Sequence, residues 1–537
     1  MTDTAVHEHD AAALADLAEN EPVDVDLDGT KVLLVRRGER VWAVAGLCPH
    51  KGVPLSKGVV EDGVGPDGRA EPRIVCGLHR AAFALHDGAL RKPPACEALA
   101  SYRVRVEGGR VMVSVPADDE PHPLPAMATR GDDDRHFVVV GAGAAGWRAA
   151  EALRREGFEG RVTVVTDEAP LPYDRTDLSK GYIKADEPPP DPVIREEAAI
   201  ARHGIDVVEA SVTGLDPDGR ALSLRNGHDR TLRYDRILLA TGADARRLDV
   251  PGADLPGIHV IRTLADAKAL RADLADALAE AKDGGRRLDV AVVGGGFVGL
   301  EAASALSGKD DVRVTVVLQD AVPFADLFGE AFGRRMKAEH EEAGVQFETE
   351  ASVTGFGGES RVSAVRLDGR DPVGCDLVIL AVGASPRTGW LPFERDEDGG
   401  IAVDEGFRVA GRDDVFAAGD IARVPTPWGH VRIEHWRFAQ ECGELAARNM
   451  LGTPAPYDGT PFFWSMQQIE GSYTYTGHAE GFDSVDGDVE PTNFAAAYVK
   501  DGRVDAVLAH GITDEVTALE PRMAGRGPLE RGAVEMG

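Results

Sequence analysis

A strand, a glycine-rich turn, a helix and a second strand follow one another twice in this chain. In the first copy the apolar run Phe137–Val140 leads into Gly141–Gly146, and in the second Val290–Val293 leads into Gly294–Gly299, 153 residues further on. Glycines at such turns let the chain reverse tightly, admit a pyrophosphate close to the backbone and place it at the positive end of the helix. Each copy has the required strand before it and helix after it. The sequence therefore predicts two α/β domains that each bind a dinucleotide.

The residue that contacts the ribose of a dinucleotide is expected at the end of the second strand, about twenty residues beyond the turn. In the first copy both Asp167 and Glu168 stand there, and the pattern does not choose between them. In the second copy Leu318 occupies this position, and Asp320 follows it. No Arg or Lys lies between 318 and 322 to bind a 2′-phosphate. This favours NADH, although the missing carboxylate leaves NADPH possible.

Two pairs of metal-ligand residues precede these domains. Cys48 and His50 form the first pair, Cys76 and His79 the second, and 25 residues lie between the pairs. A Rieske [2Fe–2S] centre needs this set, because two thiolates hold one iron and two imidazoles hold the other. A tetrahedral zinc site can use the same side chains. In such sites, however, the two Cys usually lie near each other in sequence, and so do the two His. The spacing favours the iron–sulfur cluster, with zinc as the alternative.

Composition narrows the functional classes. The net charge of −32 disfavours nucleic acid as a partner, because that binding depends on phosphate neutralisation by Lys and Arg. The acidity fits adaptation to a salty cytosol, which we favour because Asp and Glu are spread along the chain, or attraction of a basic partner. No apolar run is long enough for a membrane span, and the acidic N-terminus lacks the basic region of a secretory signal. Five cysteines without a disulfide framework suit a cytoplasmic protein.

Several further motifs lie in and after the first glycine-rich domain. The segment Leu171–Arg175 with Leu178–Lys180, the turns Ala240–Gly242 and Ala381–Gly383, and the segments Ala417–Asp420, Glu434–Trp436 and Phe463–Ser465 follow in this order. Together they resemble the FAD-dependent pyridine-nucleotide oxidoreductases, in the branch of the ferredoxin reductases and apoptosis-inducing factor. Thr176 and Asp177 replace two prolines of that branch's flavin-contacting stretch. With the Cys/His pairs in front, the chain is similar to the apoptosis-inducing-factor-like proteins that fuse a Rieske domain to such a reductase.

The resemblance implies a multidomain fold, with a small all-β Rieske domain, two α/β Rossmann-like nucleotide-binding domains and a C-terminal α+β domain. It implies FAD in the first nucleotide-binding domain and NADH in the second. The expected bounds are 1–115 for the Rieske domain, 116–134 for a Pro- and Asp-rich linker, 135–250 with 375–425 for a discontinuous FAD-binding domain, 251–374 for the NAD-binding domain and 426–537 for the C-terminal domain.

The glycine motifs and the resemblance together place one set of residues at the cofactors. Lys180 beside the flavin and Glu301 on the NAD helix are the candidate catalytic residues, and for both an ordinary structural role is the alternative. The predicted metal ligands are Cys48, His50, Cys76 and His79. The predicted cofactor-binding residues are Gly141, Gly143, Ala144, Ala145, Gly146, Asp167, Glu168, Arg175, Lys180, Thr241, Gly242, Gly294, Gly296, Phe297, Val298, Gly299, Asp320, Gly383, Gly419, Asp420 and Trp464.

The expected function is transfer of electrons from NADH through FAD to the chain's own cluster and on to an unidentified redox protein or oxygenase. Disulfide reductases of this superfamily carry a redox-active cysteine pair, and no such pair exists here. The resemblance also predicts a low cluster potential, because Ala81 and Phe83 stand where high-potential Rieske centres have hydroxyl donors. The alternatives are the reductase component of a ring-hydroxylating or nitrite-reducing system, and a redox sensor. We expect a monomer or a homodimer.

Overall fold

The computed structural model describes residues 6–65, 68–168, 171–466, 472–511 and 513–533. They form two compact units. The first ends at Ala128 and includes Arg154–Gly157, and the second contains the other residues from Thr129 onward. Within the described ranges, no helix is both long and apolar enough to cross a membrane.

The first unit is built from two antiparallel sheets, so the predicted all-β domain is confirmed. Alternating buried positions such as Val111 and Val113 pack one face of the larger sheet into an apolar core, as expected for a sheet with one solvated face. In spatial order the larger sheet contains Val6–Ala13, Arg110–Pro116, Ser101–Glu107, Arg40–Ala45, Thr30–Arg37 and Pro22–Leu27. The smaller sheet contains Val59–Val64, Ala70–Val75, Ala82–Ala84 and Leu90–Lys92.

The segment predicted to be a linker begins on the first unit. The Tyr102 hydroxyl donates to Asp119 at 2.8 Å, and the backbone N–H groups of Ala100 and Ala98 donate to the carbonyls of Pro121 and Pro123, each at 2.9 Å. The first unit therefore extends past the predicted boundary at 115. Composition missed this because the contacts are backbone hydrogen bonds, which any residue type can accept.

The first α/β domain has a parallel sheet with helices beside it. Its strands are almost continuously apolar and buried, as expected where both faces of a parallel sheet are covered. In spatial order they are Ile205–Glu209, Arg161–Thr166, His136–Val140, Arg236–Leu239 and Val415–Ala417. Its helices are Ala144–Arg155, Gly181–Lys184 and Glu197–Arg202, and an antiparallel sheet contains Ser211–Asp216, Ala221–Asn226 and His228–Arg233.

The second α/β domain repeats this architecture. Its parallel strands are Ile258–Val260, Leu377–Leu380, Leu288–Val293, Val312–Val317 and Gln346–Glu348, in spatial order. Its helices are Leu264–Asp283, Phe297–Ser307, Ala325–Phe328 and Glu330–Glu342, and an antiparallel sheet contains Val353–Gly357, Ala364–Leu367 and Val373–Gly374.

The position of Leu377–Leu380 differs from the predicted domain boundary at 375. This strand pairs with both Ile258–Val260 and Leu288–Val293, so it lies inside the second sheet. The chain returns to the first domain only afterwards, through Ala384–Pro386, which pairs antiparallel with Ala243–Ala245. A buried apolar strand fits either parallel sheet equally well, and only the pairing decides between them.

The last part of the chain mixes helix and strand, as predicted. A small sheet contains Ile401–Ala402, Ala422–Thr426 and Gly429–Val431, and the helix Trp436–Met450 follows. The C-terminal sheet contains Phe462–Met466, Ser472–Gly477, Arg503–His510, Phe494–Lys500 and Ser484–Asp486, with Leu529–Glu530 beside Arg503–His510 and the helix Thr513–Met523.

Candidate cofactor sites

The four predicted metal ligands come together in the first unit. Cys48 and Cys76 are both 1% exposed, and their thiols are within hydrogen-bonding reach of each other. The Nδ1 atoms of His50 and His79 lie 2.9 Å apart. The hydrogen bond from Cys48 lowers the pKa of Cys76 to about 6, despite burial, and nearby backbone N–H groups and the charge of Arg80 act in the same direction. One thiol of the pair is thus already stabilised as the thiolate that a metal requires.

Glycines hold the two ligand loops against each other. A Cβ on Gly58 would lie 2.2 Å from the carbonyl oxygen of Val75, and a Cβ on Gly77 would lie 2.4 Å from that of Lys57. Each loop therefore approaches the backbone of the other too closely for any side chain. This close packing brings one Cys/His pair beside the other.

The donor set fits a binuclear cluster. Across the described residues, no three His, Cys, Asp or Glu side chains gather in the way that a single metal ion requires. Instead, Cys pairs with Cys and His pairs with His, which provides two donors for each of two irons. Cys48 and Cys76 would hold one iron of a [2Fe–2S] cluster, and His50 and His79 the other.

In the first α/β domain the three motif glycines serve three different needs. Gly141 has φ +108°, and a Cβ there would lie 2.2 Å from the Ala240 carbonyl oxygen. A Cβ on Gly146 would lie 1.9 Å from the carbonyl oxygen of Gly141, so this glycine permits close helix packing. A Cβ on Gly143 would meet no protein atom within 4 Å. Gly143 therefore opens space for a ligand, as a pyrophosphate cradle requires.

The second α/β domain repeats this arrangement position by position. Gly294 has φ +113°, and a Cβ there would lie 2.3 Å from the Ala381 carbonyl oxygen. A Cβ on Gly299 would lie 2.1 Å from the Gly294 carbonyl oxygen. Gly296 again faces open space. Two independent copies of one cradle, each at a helix start, fit two bound dinucleotides.

A cavity of about 780 Å³ extends from the first cradle, within the usual size range of cofactor sites. Of the predicted cofactor-binding residues, many line it, whereas Gly294, Gly296, Gly299, Asp320 and Gly383 do not. Those that line it are Gly141, Gly143, Ala144, Ala145, Asp167, Glu168, Arg175, Lys180, Thr241, Gly242, Phe297, Val298, Gly419, Asp420 and Trp464. Gly146 lies behind the cradle. Their contacts with FAD stay predictions.

The structure brings both candidate catalytic residues together on the wall of this cavity. Lys180 Nζ lies 2.9 Å from Glu301 Oε2. The Ser179 hydroxyl donates to Glu301 Oε2 at 2.6 Å, and the Ser465 hydroxyl donates to Oε1 at 3.3 Å. Glu301 is therefore a buried side chain whose two oxygens both accept hydrogen bonds, as a polar group in a buried site requires.

The two acidic candidates for the ribose have different partners. Glu168 pairs with Arg175, whose Nη2 lies 3.1 Å from both carboxylate oxygens, and also accepts a hydrogen bond from Tyr173. Asp167 forms a bidentate pair with Arg387, at 2.5 and 3.2 Å. Both acids and both arginines line the cavity.

Sequence reasoning missed two cavity arginines, Arg262 and Arg387. Arg262 Nη2 donates to Asp420 at 2.8 Å, and its Nε donates to the Ala243 carbonyl at 2.6 Å. Arg387 donates its backbone N–H to the Gly242 carbonyl, at 2.9 Å. Neither lies in a motif, so only their long-range contacts reveal them.

His435 forms part of the aromatic wall at the other end of the cavity. Its ring lies 5.1 Å from that of Trp464 and 5.5 Å from that of Phe463. Burial lowers the pKa of His435 to about 3, with Arg437 and Lys180 acting in the same direction. Its Nδ1 is buried and has no hydrogen-bond partner among the described residues. This imidazole is therefore neutral, and its residue lines the cavity.

In the second cradle the position expected for a ribose-binding acid is apolar. Leu318 is buried in the core and lies 3.1 Å from where a Cβ on Gly295 would be. Asp320 is exposed, and its backbone carbonyl accepts a hydrogen bond from Glu350. The charge at the end of this strand is therefore negative.

Comparison with known proteins shows what this architecture is. Residues 135–443 match the pyridine nucleotide-disulphide oxidoreductases. The chain belongs to this family. Residues 7–103 match the Rieske [2Fe–2S] domain, which decides against the zinc alternative. This oxidoreductase is therefore an FAD-dependent NAD(P)H oxidoreductase that carries a Rieske domain.

Relatives of this oxidoreductase cover from about seven tenths to nearly all of the chain. Apoptosis-inducing factor 3 of Homo sapiens is 32% identical over 97% of this chain and 84% of its own length. The ferredoxin–NAD(+) reductase component of the biphenyl dioxygenase system of Paraburkholderia xenovorans is 36% identical over 71% of this chain and 90% of its own. The crystal structure of the covalent putidaredoxin reductase–putidaredoxin complex matches with a TM-score of 0.68 and 28% identity, over 75% of this chain and 96% of that one.

Proposed function

We propose that this oxidoreductase takes electrons from NADH and delivers them, through FAD and its own Rieske cluster, to a separate redox protein or oxygenase. When bound, FAD accepts a hydride from the nicotinamide and releases electrons singly, which suits a one-electron cluster as the next carrier.

The cysteines support this route. Disulfide reductases pass electrons from flavin to a reactive dithiol, but here the two cysteines of the flavoprotein part are buried and far apart in the sequence. Burial raises the pKa of Cys375 to about 12 and also raises that of Cys442. Neither thiol is prepared for exchange, so the Cys/His quartet is the chain's own candidate acceptor.

In this proposal the residues of the chain bind the cofactors, orient them and exclude water from the site. Gly143 and Gly296 open the two cradles, and Phe297 and Trp464 place apolar surface on the cavity wall. The Lys180–Glu301 pair, held by Ser179, places one fixed positive and one fixed negative charge on that wall. We propose that this pair orients the cofactors and tunes the flavin electrostatically.

NADH is the preferred donor in this proposal. Asp320 and the neighbouring Glu348 give the end of the second cradle's strand a negative charge, which repels a 2′-phosphate. Arg370 lies beside Glu348, with its Nη1 atom 3.9 Å from Glu348 Oε2, and donates to the Thr349 carbonyl at 2.9 Å.

A second candidate is the reductase of an oxygenase system. The relative from Paraburkholderia xenovorans carries this description in its name and matches 71% of this chain. In that setting the fused Rieske domain would replace a separate ferredoxin. This candidate is the case in which the final acceptor is an oxygenase.

Anaerobic mixing of the full-length protein with NADH tests the route. We expect the cluster's visible and circular dichroism bands to bleach with a first-order rate constant that does not change on tenfold dilution. The matched control, His79→Ala, should keep FAD and reduce ferricyanide while failing to reduce the final acceptor. A cluster that dithionite reduces but NADH leaves oxidised would contradict the proposal.

A further inference from the structure

An arginine in an unusual backbone conformation follows the last cluster ligand. Arg80 has φ +64°, in the left-handed region where side chains other than Gly, Asn and Asp are uncommon. Its N–H donates to the Cys76 carbonyl at 3.1 Å and closes the ligand turn. Glycine would make this turn without strain. The chain instead has an arginine there, at an energetic cost. A residue held in a strained backbone conformation in this way indicates a functional role.

The side chain of Arg80 is buried as well. It is 2% exposed, and its Nη2 lies 3.7 Å from Glu61 Oε2, on a side chain that is 22% exposed. The guanidinium is close enough to Cys76 for its charge to act on that sulfur. Arginine is always protonated in proteins, so a permanent positive charge sits beside the ligand pocket. The ion pair alone does not require this position, because an exposed arginine could pair with Glu61 without the strain.

We propose that Arg80 is a positioning charge that raises the reduction potential of the Rieske cluster, with Glu61 setting how much of that charge is felt. One-electron reduction adds one negative charge to the pocket, and a buried cation stabilises that charge. The hydroxyl donors that would otherwise do so are missing at Ala81 and Phe83. Charge thus replaces hydrogen bonding as the means of adjusting the potential.

The size of the effect follows from Coulomb's law. At an effective dielectric constant near 20, a unit charge about 12 Å from the cluster changes the equilibrium constant for its reduction about tenfold. The change is larger at shorter distances. Replacing Arg80 by an uncharged residue should therefore make cluster reduction at least about tenfold less favourable, which is about 59 mV for one electron. Glu61→Gln should change the potential in the opposite direction.

The test is a dithionite titration of the full-length protein, followed by electron paramagnetic resonance, which is independent of whether NADH reduces the cluster. Arg80→Met and Arg80→Gly should lower the midpoint potential, Arg80→Lys should stay near wild type, and Glu61→Gln should raise it. Arg80→Gly also relieves the backbone strain, so it reports on the charge if Arg80→Met assembles poorly.

Arg37 provides the matched control. It is partly exposed and pairs with Asp62, beside Glu61, at 2.6 Å, so solvent screens its charge. Arg37→Gln should leave the potential unchanged. A potential that stays at the wild-type value in Arg80→Gly, or that falls in Glu61→Gln, would show that Arg80 serves only the fold of the loop.

Discussion

Gly296 offers the sharpest test of the second nucleotide site. In Gly296→Ala the new Cβ meets no protein atom within 4 Å, and the backbone at φ −85° is ordinary for alanine. Alanine in place of glycine at a helix N-cap costs less than about 1 kcal/mol. The variant should therefore fold and keep FAD, with the methyl group pointing into the space that a pyrophosphate needs.

The loss of binding can be estimated from hydrogen bonds. The methyl group would separate a pyrophosphate oxygen from the backbone N–H groups, and a hydrogen bond to a charged acceptor contributes about 1.5–3 kcal/mol. The KM for NADH should rise about 10- to 150-fold, while kcat stays nearly unchanged because ground state and transition state lose the same contact. The measurement is steady-state NADH oxidation with ferricyanide, at several NADH concentrations.

Gly299→Ala is the matched control in the same motif. Its Cβ would lie 2.1 Å from the Gly294 carbonyl oxygen, so the helix must move away and the melting temperature should fall. If Gly296→Ala binds NADH as tightly as wild type, the cradle is not the NADH site. If it loses stability as severely as Gly299→Ala, the open space is needed for folding and the reasoning fails.

Three further predictions concern the same flavoprotein part. Arg387→Gln should speed FAD release from the holoprotein on dilution, measured by flavin fluorescence. Arg246→Gln should not, although Arg246 follows the strand Ala243–Ala245 and its Nε donates to Ser385 at 2.9 Å. The kcat/KM for NADH should exceed that for NADPH, and Asp320→Asn should narrow the ratio; a wild-type preference for NADPH would contradict this. The fold keeps His435 neutral, so the unfolded state binds a proton there that the folded state does not. The contribution of His435 to the free energy of unfolding should be fully present above pH 6.5 and fall by up to about 1.4 kcal/mol per pH unit below it. His435→Gln should remove that part of the pH dependence in melting curves, and an unchanged pH dependence would contradict the buried neutral imidazole.

The cluster ligands and the glycine cradles were predictable because their chemistry depends on short stretches of chain. A Cys and a His two or three residues apart lie on one short loop, so both stay close to one binuclear cluster. A glycine that must turn, admit a ligand or pack closely leaves a fixed spacing after an apolar strand. The helix of the first strand–turn–helix repeat is Ala144–Arg155, and that of the second is Phe297–Ser307, as the spacing predicted.

The contacts of the acidic residues could not be predicted in this way. Asp167 and Glu168 are neighbours in sequence, yet one pairs with Arg387 and the other with Arg175. Likewise, Lys180 and Glu301 were predicted separately and form one ion pair. Charged side chains are long and find partners wherever the fold places them, so local pattern holds no information on the pairing.

Sequence alone therefore predicted which cofactors this protein is built for, and it supplied the candidate residues that would hold them. Tertiary structure decided which sheet receives Leu377–Leu380, which charges meet in the cavity, and whether Arg80 is buried beside the predicted cluster ligands. The physical reason is the distance along the sequence over which each interaction acts. Ligand spacing and backbone turns act over a few residues, whereas strand pairing and ion pairs also join residues far apart in the sequence, such as Asp167 and Arg387 at 220 positions, whose proximity depends on the packing of the whole domain.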